Sequence, residues 1–254
     1  MPDGICPFAE WIPGVDSFSP GNGGRVGFCD HTAGGFLSTM RRADFWNGAG
    51  VSTHFAIGRE GAIVQLVNIF DSAWAQGRLG PQVTWLAYGT MRMQNPNLYL
   101  ISTEHEDAVS VNGVTRFIAG SEWTPEQYEA DLAVKRWCVE EVRRVTGEDL
   151  LRFGIDSLAG HHMFDSVNRA ECPGRFWRNE YRLRLFDDLT TEDPMDADKE
   201  IELTLLRQKQ RLDRALAMGK LLCVPGPTPD TVEIRQVVNN QGLSLNPPLV
   251  VPVE

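Results

Sequence analysis

The chain has 254 residues, enough for one substantial domain with an appendage or for two small domains, and its 42% hydrophobic content is that of an ordinary globular protein. Its 24 basic and 34 acidic residues leave a formal charge of −10, which argues against nucleic acid as a partner because binding there relies on basic clusters to displace counterions. No apolar run approaches the roughly 18 residues of a membrane span, so membrane insertion is not expected.

The first residues, MPDGICPFAEW, have neither the basic start nor the apolar core of a signal peptide, and the expectation is a protein made and held in the cytoplasm. Residues 1–24 are rich in Pro and Gly and read as an irregular lead-in that packs through Trp11 and Phe18. Arg25–Asp30 is a short apolar run, a buried strand that delivers His31 at its end. Phe36–Asn47 has helical spacing at Leu37, Met40 and Phe45. Thr53–Ile57 and Ala62–Val67 read as strands, and Gly58–Gly61 between them has hairpin chemistry. Leu98–Glu104 is the next strand, and His54 reads as a hydrogen-bonded buried residue.

Thr124-Pro-Glu-Gln127 is a helix start: the threonine caps, the proline suits the first position and the glutamine closes a capping box. That helix should run to about Val145 with Ala130, Val134, Trp137, Cys138, Val142 and Val145 on its core face. Strands interleaved with helices predict an α/β domain over residues 1–185. Residues 186–198 are an acidic linker. Residues 199–254 form a C-terminal helix over Lys199–Leu222 and an extended Pro-rich tail, suited to docking, self-association or targeting. The five cysteines, 6, 29, 138, 172 and 223, contain no Cys-x-x-Cys pair, which argues against a disulfide framework. Cys172 has a setting that suggests metal, whereas the others read as small buried residues.

The chemistry concentrates in Gly160-His-His-Met-Phe-Asp-Ser-Val-Asn-Arg-Ala-Glu-Cys-Pro-Gly174. His161 and Cys172 make two-thirds of a catalytic zinc site, which takes three imidazole, thiolate or carboxylate ligands and leaves one position open. The third ligand is sought upstream, at the strand end Asp30-His31-Thr-Ala-Gly-Gly35.

Four blocks in order, DHTAGG from Asp30, VSTHFAIGREGAIVQL from Val51, ISTEHE from Ile101 and the Gly-His…Cys-Pro-Gly ending, resemble the zinc-dependent N-acetylmuramoyl-L-alanine amidases of the phage-lysozyme and peptidoglycan-recognition type. The resemblance covers roughly Arg25 to Trp177. It implies a central mixed β-sheet flanked by helices, a Zn2+ cleft at one edge, and hydrolysis of the amide between the lactyl group of N-acetylmuramic acid and L-alanine. It further implies His31, His161 and Cys172 as metal ligands, Glu104 as the group that moves the proton, and peptidoglycan or muropeptides as partner. Two registers compete at the first block, one placing Asp30 at the metal and the other His31; His31 is favoured because imidazole is the commoner zinc ligand. The family's lysine before the cysteine is Ala170 here, which leaves Arg169 or His162 as the transition-state donor. His105, His162 and Trp74 are candidates to line the cleft. A phage-type endolysin that meets the wall once the membrane is breached is the favoured setting. A muropeptide-recycling amidase and a non-catalytic recognition module are the alternatives.

Overall fold

The computed structural model describes residues 2–77, 79, 82–85, 95–118 and 122–191, and the strands at 221–225, 231–236 and 249–252. The chain divides into two compact units, Met1–Thr191 and Glu192–Glu254.

The first unit contains strands β1 (Glu10–Trp11), β2 (Phe18–Ser19), β3 (Gly27–Thr32), β4 (Phe55–Ile57), β5 (Ile63–Gln65), β6 (Ser72–Ala73), β7 (Leu100–His105), β8 (Ala108–Val111), β9 (Val114–Phe117) and β10 (Leu158–Gly160). Its α-helices among the described residues are α1 (Leu37–Met40), α2 (Ala43–Ala49), α3 (Pro125–Thr146) and α4 (Arg182–Thr190). Six strands make one sheet in the order β1-β5-β4-β7-β3-β10. β4 and β5 are antiparallel, and every other neighbouring pair is parallel, so this is the mixed sheet of an α/β fold. β2 pairs with β6, and β8 with β9, as separate two-stranded ribbons.

Strand alternation sends successive side chains to opposite faces and so sorts the core into layers. Phe28, Ile101 and Leu158 pack on one face with Val134, Cys138 and Val142 of α3. Cys29, Leu100 and Ala159 face the other way, with Phe164 and Trp85. A third cluster joins Leu37, Met40 and Trp46 of the two short helices to Ala56 and Val64. Removing a fully buried side chain such as Phe28 would cost about 3–5 kcal/mol.

The α3 start behaves as its sequence requires in one half only. Thr124 Oγ1 accepts the Gln127 N–H at 3.1 Å and Pro125 takes the first position. The Gln127 side chain does not close the box. It donates to the carbonyls of Ile57 and Glu106, at 3.1 and 3.0 Å, because both strand ends leave an acceptor within its reach. On the expected core face, Ala130, Val134, Cys138 and Val142 are buried, while Val145 in the last turn is exposed.

Other expectations need correction. The helix over Phe36–Asn47 is two helices, because Arg42 is extended (φ −111°, ψ 118°) and turns the chain so that the Trp46 indole is buried and donates to Met40 O at 2.7 Å. Trp11 does not anchor the lead-in: it is exposed, and Cys6 and Val15 are the buried hydrophobic residues there. A π-helical turn, Trp177–Tyr181, runs into α4, so regular helix continues to Thr190 through the start of the expected linker at 186–198. In the second unit, the strands Leu221–Pro225, Thr231–Gln236 and Leu249–Pro252 form an antiparallel three-stranded sheet where a helix end and an extended tail were expected. Most of the helix expected over Lys199–Leu222 lies outside the described residues; Leu221 and Leu222 begin a strand. Among the described residues no helix is long and apolar enough to cross a membrane.

Candidate metal centre and active site

Three adjacent parallel strands, β7, β3 and β10, end side by side and deliver the site. Their register sets His31 beside Glu104 and Gly160 beside Asp30, so that His161 emerges next to His31 as β10 ends. The carboxyl ends of parallel strands are where open α/β sheets place their ligands. Gly160 is needed for close approach: a Cβ there would lie 2.7 Å from Pro173 Cδ. The loop from His161 to Cys172 is stitched internally, with the Phe164 N–H on His161 O (2.9 Å), the Cys172 N–H on Arg169 O (2.9 Å) and the His162 N–H on Cys172 O (3.0 Å). It carries the Cys172 thiol to the end of β3, where the Thr32 N–H points at Sγ from 3.3 Å.

One ligand-type atom from each of His31, His161 and Cys172 lies within 4.8 Å of the others. The two Nδ1 atoms are 3.0 Å apart, and Glu104 Oε1 stands 3.9 Å from His31 Nδ1. Two nitrogens bound to one tetrahedral zinc stand about 3.3 Å apart, so a slight opening admits an ion. His161 Nε2–H donates to Gln76 O at 3.0 Å, which fixes the tautomer and leaves Nδ1 with its lone pair toward the cluster. Burial lowers His161 to about 4, despite the Gln76 carbonyl, and burial with the charges of His161, His105 and Arg169 holds His31 well below its usual value. Both rings are therefore neutral ligands at neutral pH. Burial, and then the charge of Glu104, push the Cys172 thiol up, so the free thiol keeps its proton and metal binding releases it. Two imidazoles, a thiol and a neighbouring carboxylate fit a three-ligand zinc site.

Glu104 has a side chain only 16% exposed, and its Oε2 is buried with no hydrogen-bond partner among the described residues. Burial and then the charge of Asp107 push its carboxyl up to about 8, against the opposing pull of Arg169. A carboxyl of that affinity can both take and return a proton near neutral pH.

Asp30, the competing residue at the first block, is on the opposite face of β3. It accepts from Lys135 Nζ through Oδ1 and from Trp177 Nε1 through Oδ2, both at 2.7 Å, and is fully buried. His105 also faces away from the cleft: its Nδ1–H donates to His31 O at 3.0 Å, its ring stacks on Trp123, and Nε2 lies 3.2 Å from Asp131 Oδ1. The cleft-lining expectation for His105 is therefore corrected, by the same alternation that separates it from Glu104. His162 is half-buried, with Nδ1–H on Cys172 O at 2.9 Å. Trp74 is exposed and donates to Ser19 Oγ at 3.0 Å. Arg169 is exposed on the loop before Cys172, and its charge acts on Glu104, His31 and His161. His54 is buried away from the cluster, accepting from the Ser102 N–H (3.0 Å) and donating to Asp71 O (2.9 Å).

Sequence reasoning missed three features. Asp107, nearly buried, ties the loop after His31 by accepting from Thr32 Oγ1 at 2.7 Å and from the Gly35 N–H at 3.1 Å, so it steadies the residue whose N–H holds Cys172. Gln76 orients His161 through a backbone carbonyl that no side-chain motif announces. The β8–β9 hairpin did have a signal: Asn112-Gly113 takes positive φ at both positions (53° and 77°), the Asn-Gly hairpin turn between alternating valines.

The model of the family described as N-acetylmuramoyl-L-alanine amidase matches residues 25–175. No curated protein sequence matches the chain. Among solved structures, an AmpD derivative shows 18% identity over 73% of this chain and 98% of its own, with a TM-score of 0.47. The amidase LysC from Clostridium intestinale shows 14% identity over 72% and 96%, with a TM-score of 0.43. AmpDh3 from Pseudomonas aeruginosa, in complex with anhydromuramic pentapeptide, shows 20% identity over 65% and 60%, with a TM-score of 0.42. The family match spans more than half of the chain, from the strand that carries His31 to the turn that carries Cys172, and by it the chain belongs to the N-acetylmuramoyl-L-alanine amidase family.

Proposed function

We propose that this amidase is a zinc enzyme in which His31, His161 and Cys172 hold the ion and Glu104 moves the proton. The observation that carries the reading is the meeting of three ligand atoms from β3, β10 and the Cys172 turn beside a buried carboxylate with an unpartnered oxygen. Zinc, when bound, supplies a Lewis acid that polarises the scissile carbonyl and acidifies water.

The chain's own residues do the rest. Glu104 accepts the proton of the attacking water as the new C–O bond forms. It then returns that proton to the leaving nitrogen as the C–N bond breaks, freeing the lactyl carboxylate and the L-alanine amine. The Thr32 N–H and the Gln76 carbonyl keep the Cys172 and His161 side chains aimed during turnover. Arg169, on the loop just before Cys172, is the cationic group we assign to the developing oxyanion, with an arginine donor taking the place of the lysine at Ala170.

For the biological setting we favour a phage-type endolysin, held in the cytoplasm until the membrane is breached. What supports it over a muropeptide-recycling enzyme is the separate compact unit over Glu192–Glu254, which a small soluble substrate does not require and which suits wall targeting or self-association. The test is release of peptide-free glycan and new L-alanine amino termini from intact sacculi and from soluble muropeptides, by metal-stripped protein with and without added zinc. Zinc-dependent release from both, with sacculi retained only when residues 192–254 are present, is the expected result. Turnover of soluble muropeptides alone would move the assignment to recycling, and no zinc-dependent release at all would remove the mechanism.

A further inference from the structure

His161 meets the cluster with Nδ1 because the Gln76 carbonyl accepts its Nε2–H at 3.0 Å. Gln76 stands in a loop, and a loop carbonyl aims a ring only as well as the loop itself is held. The segment before it is pinned as far as Trp74: Ser72 and Ala73 pair with β2, and the Trp74 N–H donates to Ser52 Oγ at 3.0 Å. From there the hold passes to one side chain. Asn97 Oδ1 accepts the N–H groups of both Ala75 and Gln76, at 3.1 and 2.8 Å. Two consecutive N–H groups on one oxygen fix the two peptide planes that precede the Gln76 carbonyl, so its direction follows from Asn97. Asn97 is 7% exposed and Gln76 1%, so burial leaves little water to replace that oxygen.

Asn97 is itself set by its surroundings. Pro96 fixes the chain as it enters a single 3-10 turn, Pro96–Leu98, and the Asn97 N–H donates to Asn95 Oδ1 at 3.1 Å. The Leu98 carbonyl accepts from the Gly23 N–H at 2.8 Å, and the Tyr99 carbonyl from the Val26 N–H at 3.0 Å. β7 starts directly after Tyr99 and carries Glu104. The strand that bears the proton-moving group thus begins in the turn that holds the orienting partner of a metal ligand.

We propose that Asn97 is a positioning residue for the amidase reaction, one that aims the His161 ring at the zinc through the Gln76 carbonyl and so rests on His161 being the ligand assigned above. Without the Asn97 oxygen, the Ala75 and Gln76 N–H groups lose their acceptor, the loop rotates to find another, and the Gln76 carbonyl leaves Nε2. The ring is then free to turn about its side-chain bonds, and the lone pair on Nδ1 no longer points steadily into the cluster.

Three substitutions in the full chain test this. Asn97→Leu removes the acceptor at similar volume, and Asn97→Asp keeps an oxygen that both N–H groups can reach. Val142→Ala, in the core on α3, lowers stability without touching the connection. In the metal-free protein with isotope-labelled histidine, the His161 Nε2–H gives an NMR correlation because its hydrogen bond slows exchange with water. That signal should be present in the unaltered protein, in Asn97→Asp and in Val142→Ala, and absent in Asn97→Leu. Zinc affinity, read by chelator competition, should fall about tenfold in Asn97→Leu and stay within about twofold in the other two. Should Asn97→Leu not fold, hydrogen exchange of the unaltered protein decides: the Ala75 and Gln76 amides should be protected on the order of a hundredfold despite lying in a loop, and free exchange there overturns the role. A His161 signal and zinc affinity left unchanged by Asn97→Leu would overturn it as well. So would equal losses in Asn97→Asp, or loss of both in Val142→Ala. An Asn97-dependent His161 signal in a chain that binds no zinc would keep the connection from Asn97 through Gln76 to His161 and sink the metal reading instead.

Discussion

The two faces of β3 carry clusters made from similar parts and arranged for opposite ends. On one face His31, His161 and Cys172 converge; on the other Asp30, His105 and Asp131 do, and in each trio the ligand-type atoms lie within 4.8 Å of one another. The second trio contains a cation of its own. Lys135 Nζ lies 2.7 Å from Asp30 Oδ1 and 2.5 Å from Asp131 Oδ1, with every side chain fully buried. Burial alone would push Asp131 up, but Lys135 and His105 outweigh it and hold its carboxyl below the usual range, and the same two carboxylates keep the Lys135 ammonium charged despite its burial. The first trio has no ammonium within it and a neighbouring carboxyl that burial leaves with a raised affinity for protons. A cluster of ligands therefore reads as a metal site only after its counter-charge has been sought. Here one helix, α3, buries an ammonium inside the cluster on one face of the sheet, whereas the cation that acts on the other is the exposed Arg169 of the loop before Cys172.

The sharpest way to break this contrast is to substitute neighbours on one strand. His31→Ala should remove stoichiometric zinc and cut amidase activity on the order of a thousandfold, with thermal stability of the metal-free protein little changed. Equal zinc content and activity in that variant, read by elemental analysis and product release, would erase the distinction. Glu104→Gln should retain zinc and lose about 10²–10⁴-fold in kcat, the range for a general acid–base group, and a loss confined to KM would deny Glu104 its role. On the other face, Lys135→Met should leave two buried carboxylates without their cation and cost about 3–5 kcal/mol in urea unfolding, while the folded fraction still binds one zinc. A stability loss below about 1 kcal/mol would mean that the ammonium is not what holds that cluster. Asp107→Ala should weaken zinc about tenfold by loosening Thr32 and Gly35, with Asp107→Asn recovering part of it, and chelator competition gives the number.

How much of this was legible in the chain differs from residue to residue. The Thr124-Pro125 start, the Gly58–Gly61 hairpin and the α/β alternation follow from local chemistry, and local chemistry is what a sequence displays. The Asn112-Gly113 turn was equally local and available. Lys135 was not: four residues after Asp131 it has the spacing of an ordinary solvent-facing ion pair, and its burial depends on Asp30, 105 residues away. Nor was the break at Arg42, which follows from the burial of Trp46.

By itself the sequence determined the vocabulary of the site: which side chains can bind zinc, that His161 and Cys172 are joined by one short loop, and that Asp30 and His31, being adjacent on a strand, must face opposite ways. It could not say which of the two faces the cleft. That was decided by tertiary structure, through the parallel register that sets His31 beside Glu104 and brings β10 alongside, and through the helix that buries Lys135 against Asp30. The physical reason is that alternation along a strand is a property of the local backbone, whereas the identity of each face is set by what packs against it, and those partners are far away in the chain.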